Sequence, residues 1–522
     1  MHKPVVLIIL DGWGISTNPH GNVLFEASLP IIDKLNNFYP MTTLQASGIS
    51  VGLFWGESGN SEVGHMTLGA GKIIYQSLPK ITLSIQNKTF FSNPVLLETM
   101  ENAKKENHGL HLMGLVSEGS VHSYLDHLQA ILVMAKENGL KNVYIHAFTD
   151  GRDSAPTSAV QTIKKLQTKI NQIGIGKIAT LCGRNWAMDR NNNWDRTEKT
   201  FNLLVNSTGE KSDDPLKYLA SSYEKGVTDE YLEPCVLTEN GSPIAAIKNN
   251  DSVIFFNFRE DRARQLTKAF ALPEFNKFKK EGIETDFITM TEYEKDIPNV
   301  KIAFPPDPAG GGLGKILSEH KLKQLRIAET EKYAHVTYFF NGGAEQPWAG
   351  EDRILVPSPS VPKFDDKPQM SANEITEKLI EAINENKYDF ILANYANADM
   401  VGHTGNEKAA IEAVQTIDKN LSELIPTVLK IGGCLMITSD HGNVEEIKNF
   451  NTGEINTEHS SNPVPFWFVT PTNHKEKTET EKIRQQSEVG GLLSDVAPTV
   501  LDALQIEKPE EMNGESLIPL LK

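Results

Sequence analysis

The sequence predicts an α/β fold built on a largely parallel sheet, with a second α/β domain inserted into the first. Three observations carry this. The chain has 522 residues, beyond the ~250–300 residues at which a single core stops growing, so two domains are expected. Short, unbroken apolar runs recur along it, as in strands covered on both faces. Helical patterns lie between them, the alternation that builds parallel sheets.

The runs, in order, are Val5–Leu10, Leu110–Val116, Asn142–Phe148, Lys177–Cys182, Val253–Phe258, Asp389–Tyr395 and Cys434–Thr438. The first, VVLIIL, is cut off by Asp11 and is too short for a membrane span or a signal-peptide core. The clearest helix places Ile411, Val414, Ile417, Leu421, Leu424 and Val428 at spacings of three and four, and stops at Gly432-Gly433. GESGNSEVGH (56–65) has neither period and reads as a loop, bent by glycines, that presents a serine, Ser58 or Ser61. GAGKIIYQSLP (69–79) and FPPDPAGGGLG (304–314) read as linkers. FPPDPAGGGLG has the glycine content of a phosphate-binding loop, but Ala309 and Ile316 stand where that motif needs Gly and Ser/Thr. The charge run His474–Gln486 reads as a solvated loop or helix face.

A net charge of -17 disfavours nucleic acid and anionic membrane as partners. Three cysteines without CxxC spacing argue against a disulfide framework and for a reducing compartment. A soluble cytoplasmic protein acting on a small molecule is the expectation.

Aspartate and histidine gather just after expected strands: Asp11 in LDGWG, Asp399 and His403 in NADMVGHTG, Asp440 and His441 in SDHGN. His459 lies in TEHSSNP. Ligands of open α/β sheets collect at the carboxyl ends of strands. Oxygen and nitrogen donors without thiolate suit Mn²⁺ or Zn²⁺. With a serine hydroxyl, such a set fits two-metal phosphoryl transfer.

Arginine is used sparingly but locally. Ten occur, none before Arg152, and seven lie between Arg152 and Arg264. The planar guanidinium fork matches phosphate and carboxylate better than lysine does. Arg152, Arg184, Arg190, Arg259 and Arg262 are therefore candidates to grip a phosphorylated carboxylic acid, while Arg196 and Arg264 read as surface ion pairs. The middle segment would hold the substrate, and the flanking segments would build the metal site.

Together ILDGWG, GNSEVGHMTLGAG, HAFTDGRD, CGRNWAMDR, FFNFREDRARQ, ETEKYAHVTYFFNGG, NYANADMVGHTG, TSDHGN, SNPVPF and DVAPTVL resemble, nearly end to end, the 2,3-bisphosphoglycerate-independent phosphoglycerate mutases of the alkaline phosphatase superfamily. The resemblance implies an alkaline-phosphatase-like domain at 1–76 and 311–522 and an inserted substrate domain at 77–310. It implies Ser61, not Ser58, as the nucleophile that becomes phosphoserine. One metal is implied on Asp11, Ser61, Asp440 and His441, and another on Asp399, His403 and His459. Two Mn²⁺ are expected, with Zn²⁺ or Co²⁺ as alternatives and no 2,3-bisphosphoglycerate. His122, Arg152, Asp153, Arg184, Arg190, Arg259, Arg262 and Lys332 match the substrate-binding set. Two departures stand out: Tyr124 replaces a family histidine, and the wording before His459 is unusual.

The implied reaction passes the phosphate of 3-phosphoglycerate to Ser61, lets bound glycerate reorient, and returns it to the other hydroxyl. Asp153 shuttles the hydroxyl protons, and domain closure keeps water from the phosphoserine. A monomer in glycolysis and gluconeogenesis is implied. A phosphatase or phosphopentomutase relative would share the metal ligands without needing the arginine set, and a non-catalytic scaffold would have lost ligands. The absence of an Arg-His-Gly nucleophile motif excludes the histidine-dependent mutases.

Overall fold

A computed structural model describes residues 3–105, 108–280, 282–307, 311–449 and 452–521. The chain divides into two compact units, Met1–Gln76 with Pro308–Lys522, and Ser77–Asp307.

The discontinuous unit holds an eight-stranded sheet. Its order is Glu351–Val356, Gln324–Glu329, Phe390–Tyr395, Val5–Leu10, Cys434–Thr438, Val464–Val469, Met41–Gln45 and Val489–Leu492. The first five run parallel to one another, and Val464–Val469 runs against both of its neighbours. The central strand shows why VVLIIL has no polar position. Val6, Ile8 and Leu10 enter one core, with Leu379 and Val414 of the helices Ala372–Asn384 and Glu407–Lys430. Val5, Leu7 and Ile9 enter the other, with Leu68, Leu317 and Val500 of the helices Ser61–Ala70, Gly312–Glu319 and Val496–Ala503. Both pleat faces are covered, so alternation disappears.

The continuous unit is a nine-stranded sheet with Ser252–Phe255, Leu110–Leu115, Val143–Thr149 and Lys177–Gly183 adjacent and parallel at its centre. Phe201 and Phe270, on the helices Trp194–Asn206 and Arg264–Ala271, pack with Phe148 and Phe255 of this sheet.

Three sequence expectations are corrected. The stretch expected as a loop through His65 turns helical at Ser61, where the Asn60 side chain accepts the Val63 N–H at 3.1 Å. This helix is buried nearly all round, so it lacks the polar face that makes a period visible. The linker expected at 69–79 shrinks to residues 71–76, between that helix and Ser77–Gln86. In the stretch 304–314, residues 308–310 lie outside the described residues, and Gly312 already begins a helix. The second half of the charge run forms the helix Glu479–Ser487, which buries none of its residues and is started by a reciprocal Thr478–Glu481 capping box.

Candidate active site

Four of the five parallel strands of the first unit lead candidate residues to the same sheet edge. Asp11 follows Val5–Leu10, Asp399 and His403 follow Phe390–Tyr395, Asp440 and His441 follow Cys434–Thr438, and Lys332 follows Gln324–Glu329. His459 reaches this edge because Val464–Val469 is antiparallel and begins there. Two glycines permit the close packing. Gly12 has φ of 75°, and a Cβ on it would come within 2.7 Å of Asp399 Cα; on Gly64 it would come within 2.7 Å of the Asp440 carbonyl oxygen.

Ser61 is buried at the first position of its helix. Its Oγ lies 2.6 Å from Lys332 Nζ, 3.0 Å from His441 Nε2 and 3.2 Å from Asp11 Oδ1. The Lys332 ammonium also donates to Asp11 Oδ1 and Asp399 Oδ2, each at 2.6 Å. Burial opposes charge on Asp11 and Asp399, but Lys332 and the histidines outweigh it and hold both carboxyls far below the usual range. The same burial opposes charge on Lys332, and the carboxylates reverse it. On His441 burial is likewise overcome, by Asp440, Asp11 and Asp399, and the imidazole is pushed up to about 10.

The donor chemistry fits divalent cations. His403 Nδ1 faces the Thr457 carbonyl at 2.7 Å, and His459 Nδ1 faces the Gly59 carbonyl at 2.9 Å. A carbonyl only accepts, so both neutral rings carry hydrogen on Nδ1 and turn bare Nε2 inward. Those Nε2 atoms lie 3.0 Å apart, at 3.2 Å and 3.1 Å from Asp399 Oδ1. Three acceptors facing one another repel unless protons or a cation lie among them. His441 likewise sets Nδ1 against the Gly442 carbonyl at 3.2 Å and aims Nε2 at Ser61 and Asp11, where the carboxylates favour a positive charge, on the ring itself or on a cation. Two donor groups result, Asp399–His403–His459 and Asp11–Asp399–His441, with a third formed by Asp11, His65 and Asp440.

His65 and Asn394 are functional neighbours that the sequence patterns do not reveal. His65 Nδ1–H donates to the Ser61 carbonyl at 2.9 Å, and Asn394 Nδ2 donates to Asp11 Oδ2 at 2.7 Å. The i, i+4 spacing of Ser61 and His65 is the available signal, hidden because no helix is expected there.

The second unit gathers the anion-binding candidates at the carboxyl edge of its own sheet. Arg184 is buried and donates to Asp150 Oδ1 at 2.7 Å and Asp153 Oδ2 at 2.5 Å. Arg152, Arg190 and Arg259 are exposed, while Arg262 is half-buried. Arg152, Arg184, Arg190 and Arg262 line a cavity of about 160 Å³. Burial lowers the Arg262 pKa, and the guanidiniums of Arg184, Arg190 and Arg152 lower it further. His122 lies 3.8 Å from Asp153 and 3.6 Å from Asp261. Arg196 forms the expected ion pair, with Asp189 at 3.6 Å, and it also lines this cavity, bonded to Asn185 at 2.8 Å. Arg264, in contrast, turns to the Tyr293 carbonyl and Glu260.

A parallel sheet bearing this constellation at its edge, joined to a second α/β unit, defines an alkaline-phosphatase-like enzyme. The family model described as BPG-independent PGAM N-terminus matches residues 81–295, and that of type I phosphodiesterase / nucleotide pyrophosphatase matches residues 318–507. The 2,3-bisphosphoglycerate-independent phosphoglycerate mutase of Clostridioides difficile (strain 630) is 49% identical over 518 residues, covering 99% of each chain. That of Clostridium acetobutylicum is 49% identical over 515 residues, again covering 99% of each. A solved structure of Leishmania mexicana phosphoglycerate mutase at low cobalt concentration aligns with a TM-score of 0.54 and 29% identity, over 99% of this chain and 97% of that one. The chain belongs to the family of 2,3-bisphosphoglycerate-independent phosphoglycerate mutases. Its enzyme class is that of an isomerase, an intramolecular phosphotransferase.

Proposed function

We propose that the chain interconverts 3-phosphoglycerate and 2-phosphoglycerate through a phosphoserine at Ser61, with Asp153 moving the hydroxyl protons. The observation that carries this is the setting of Ser61 Oγ, buried between the Lys332 ammonium at 2.6 Å and His441 Nε2 at 3.0 Å. Two divalent cations, Mn²⁺ or alternatively Zn²⁺ or Co²⁺, would be held by Asp11, Ser61, Asp440 and His441 and by Asp399, His403 and His459, supplying Lewis acidity to the phosphoryl group and the serine hydroxyl.

The chain's own residues divide the remaining tasks. Lys332 donates to Ser61 Oγ, which favours the alkoxide over the hydroxyl and spreads positive charge where phosphoryl oxygens gather. His65 fixes the Ser61 backbone through its carbonyl. Arg152, Arg184, Arg190, Arg259 and Arg262, with His122, hold the carboxylate and oxygens of glycerate. The crowding of like charges around Arg262 supports this, because a multiply charged anion would relieve it. Asp153, gripped by Arg184, gives a proton to the glycerate oxygen that loses the phosphoryl and takes one back from the other hydroxyl as that oxygen attacks the phosphoserine.

This reading makes the chain a monomeric cytoplasmic enzyme of glycolysis and gluconeogenesis, with a small-molecule substrate and no nucleic-acid or membrane partner. The net charge and the three buried free cysteines support it. The test is acid quenching of the Mn²⁺-loaded enzyme during turnover of 3-phosphoglycerate, followed by peptide mass spectrometry. Phosphate on Ser61 is expected. Phosphate trapped on another residue would overturn the assignment.

A further inference from the structure

His122 Nδ1 and Asp261 Oδ1 are both buried and both lack a hydrogen-bond partner. They face each other at 3.6 Å, too long for a hydrogen bond but one small rotation from closing. The two loops are already tied, because the His122 carbonyl accepts the Phe258 N–H at 2.8 Å. Asp261 also receives Arg190 Nη1 on Oδ2 at 2.6 Å and has Arg259 Nε 3.4 Å from Oδ1. One carboxylate thus touches three members of the substrate-binding set.

We propose that Asp261 is a positioning residue that holds His122 with its proton on Nδ1, leaving Nε2 as a hydrogen-bond acceptor toward Asp153. This rests on the assignment of His122 and Asp153 to the substrate site.

Burial, with Arg184 and Arg259 nearby, pushes the His122 pKa down to about 4 against the pull of Asp261 and Asp153, so the ring carries one N–H at neutral pH. That hydrogen can sit on either nitrogen. If it were on Nε2, the Nδ1 lone pair would face the buried Oδ1 of Asp261, and neither atom has another hydrogen-bond partner. With hydrogen on Nδ1, the opposing acceptors are instead Nε2 and Asp153 Oδ2, 3.8 Å apart. The two carboxylates are about equally exposed, but Asp153 Oδ2 already accepts a hydrogen bond from Arg184 at 2.5 Å, whereas the nearest donor to Asp261 Oδ1, Arg259 Nε, stays at 3.4 Å without forming one. A buried acceptor left unanswered is the costlier outcome, so burial selects Nδ1–H.

The tautomer matters for the proton step. Asp153 acts as a neutral acid when it gives a proton to the oxygen that loses the phosphoryl, and the attacking hydroxyl restores that proton in the second transfer. In the acid form its O–H can donate to a bare Nε2, which steadies the proton until the leaving oxygen claims it. An Nε2–H would do the reverse, donating to the Asp153 carboxylate and weakening it as a base.

The test uses full-length protein labelled with ¹⁵N-histidine and loaded with diamagnetic Zn²⁺. Long-range ¹H–¹⁵N correlation reads the tautomer, and the His122 signal is the one lost in His122→Gln. The expected result is Nδ1–H in the wild type and Nε2–H in Asp261→Asn, whose amide can donate to Nδ1. The same variant should lose about 100-fold in kcat/KM, with its melting temperature within a few degrees of the wild type and partial rescue by Asp261→Glu. Nε2–H in the wild type, or an unmoved tautomer in Asp261→Asn, would overturn the proposal. Titration with 3-phosphoglycerate separates the two readings. If the His122 signal ignores the substrate while the tautomer is Nδ1–H, the site assignment fails and the positioning by Asp261 stands.

Discussion

Lys332 Nζ lies 2.6 Å from Asp399 Oδ2, and the same ammonium reaches Asp11 and Ser61 at that distance. All four side chains belong to buried residues. Breaking a buried ion pair by removing one partner costs ~3–5 kcal/mol, because the other charge is left uncompensated. Lys332→Met should therefore destabilise chelator-treated protein by about that amount. With saturating Mn²⁺ the loss should be smaller, since the cation answers the same carboxylates. Thermal melts of both forms measure this. Equal losses with and without Mn²⁺ would show that Lys332 and the metal do not share the cluster.

The facing Nε2 atoms of His403 and His459 make a related prediction. With Asp399 Oδ1 they form a cluster of three acceptors that only a cation or an added proton can reconcile. Chelation should abolish mutase turnover, and Mn²⁺ should restore it without 2,3-bisphosphoglycerate. His459→Ala should raise the Mn²⁺ concentration needed for half activity by at least ~10-fold, as expected for loss of a direct ligand. Full turnover in metal-stripped enzyme would remove the basis for the two-cation reading.

Much of this site is legible in sequence because its residues follow strands that are themselves legible. Asp11, Asp399, Asp440 and His441 sit within a few residues of continuous apolar runs, and parallel topology brings such positions to one edge. Lys332 follows Gln324–Glu329, a strand no apolar run announces. That strand carries Arg326, fully buried between the Phe340 and Phe390 rings and bonded to Gln324. A buried arginine has the signature of a surface residue in a hydropathy pattern, so the strand disappears from view and Lys332 with it. Met41–Gln45 is hidden in the same way by its two buried threonines. His459 is visible only as a lone histidine, because its place depends on an antiparallel strand that begins after it. The family resemblance supplies Lys332 and His122 where pattern cannot. Nothing in the sequence separates Asp261 from the charges around it, since its role lies in what its two oxygens face.

His127 gives a pH prediction away from the metal ligands. Its Nε2 donates to Thr82 Oγ1 at 3.0 Å, because that hydroxyl already gives its own hydrogen to the Leu78 carbonyl. Nδ1 is buried without a hydrogen-bond partner. A second proton would add an N–H with no acceptor, and burial pushes the pKa down to about 3 from an ordinary 6.5. The sign follows. Below pH 6.5 the unfolded chain binds a proton that the folded chain refuses until about pH 3, so stability falls as pH falls through that window, by up to ~1.4 kcal/mol per pH unit. His127→Gln removes the titrating group. Its melting temperature should decline less than that of the wild type between about pH 6.5 and 5. Parallel declines would mean that His127 does not titrate between the two states.

The last prediction separates mutase chemistry from phosphatase chemistry at the same nucleophile. Ser61 and Arg259 lie in different units, so their losses should have different signatures. Ser61→Ala removes the proposed phosphoryl acceptor and should abolish turnover, while the arginines should still bind 3-phosphoglycerate within a few fold of the wild type by calorimetry. On the proposed assignment Arg259→Ala keeps the nucleophile and should lose one charged hydrogen bond to the substrate, worth ~1.5–3 kcal/mol, or about 10–100-fold in KM. Its more telling effect comes after the first transfer. Glycerate held by fewer contacts leaves sooner, and the phosphoserine left behind is open to water. Free phosphate should then rise relative to 2-phosphoglycerate in Arg259→Ala and stay at background in Ser61→Ala. Both products are measured from one quenched time course. If Arg259→Ala slows the reaction yet releases no more phosphate per turnover than the wild type, the arginine captures substrate but does not retain the glycerate.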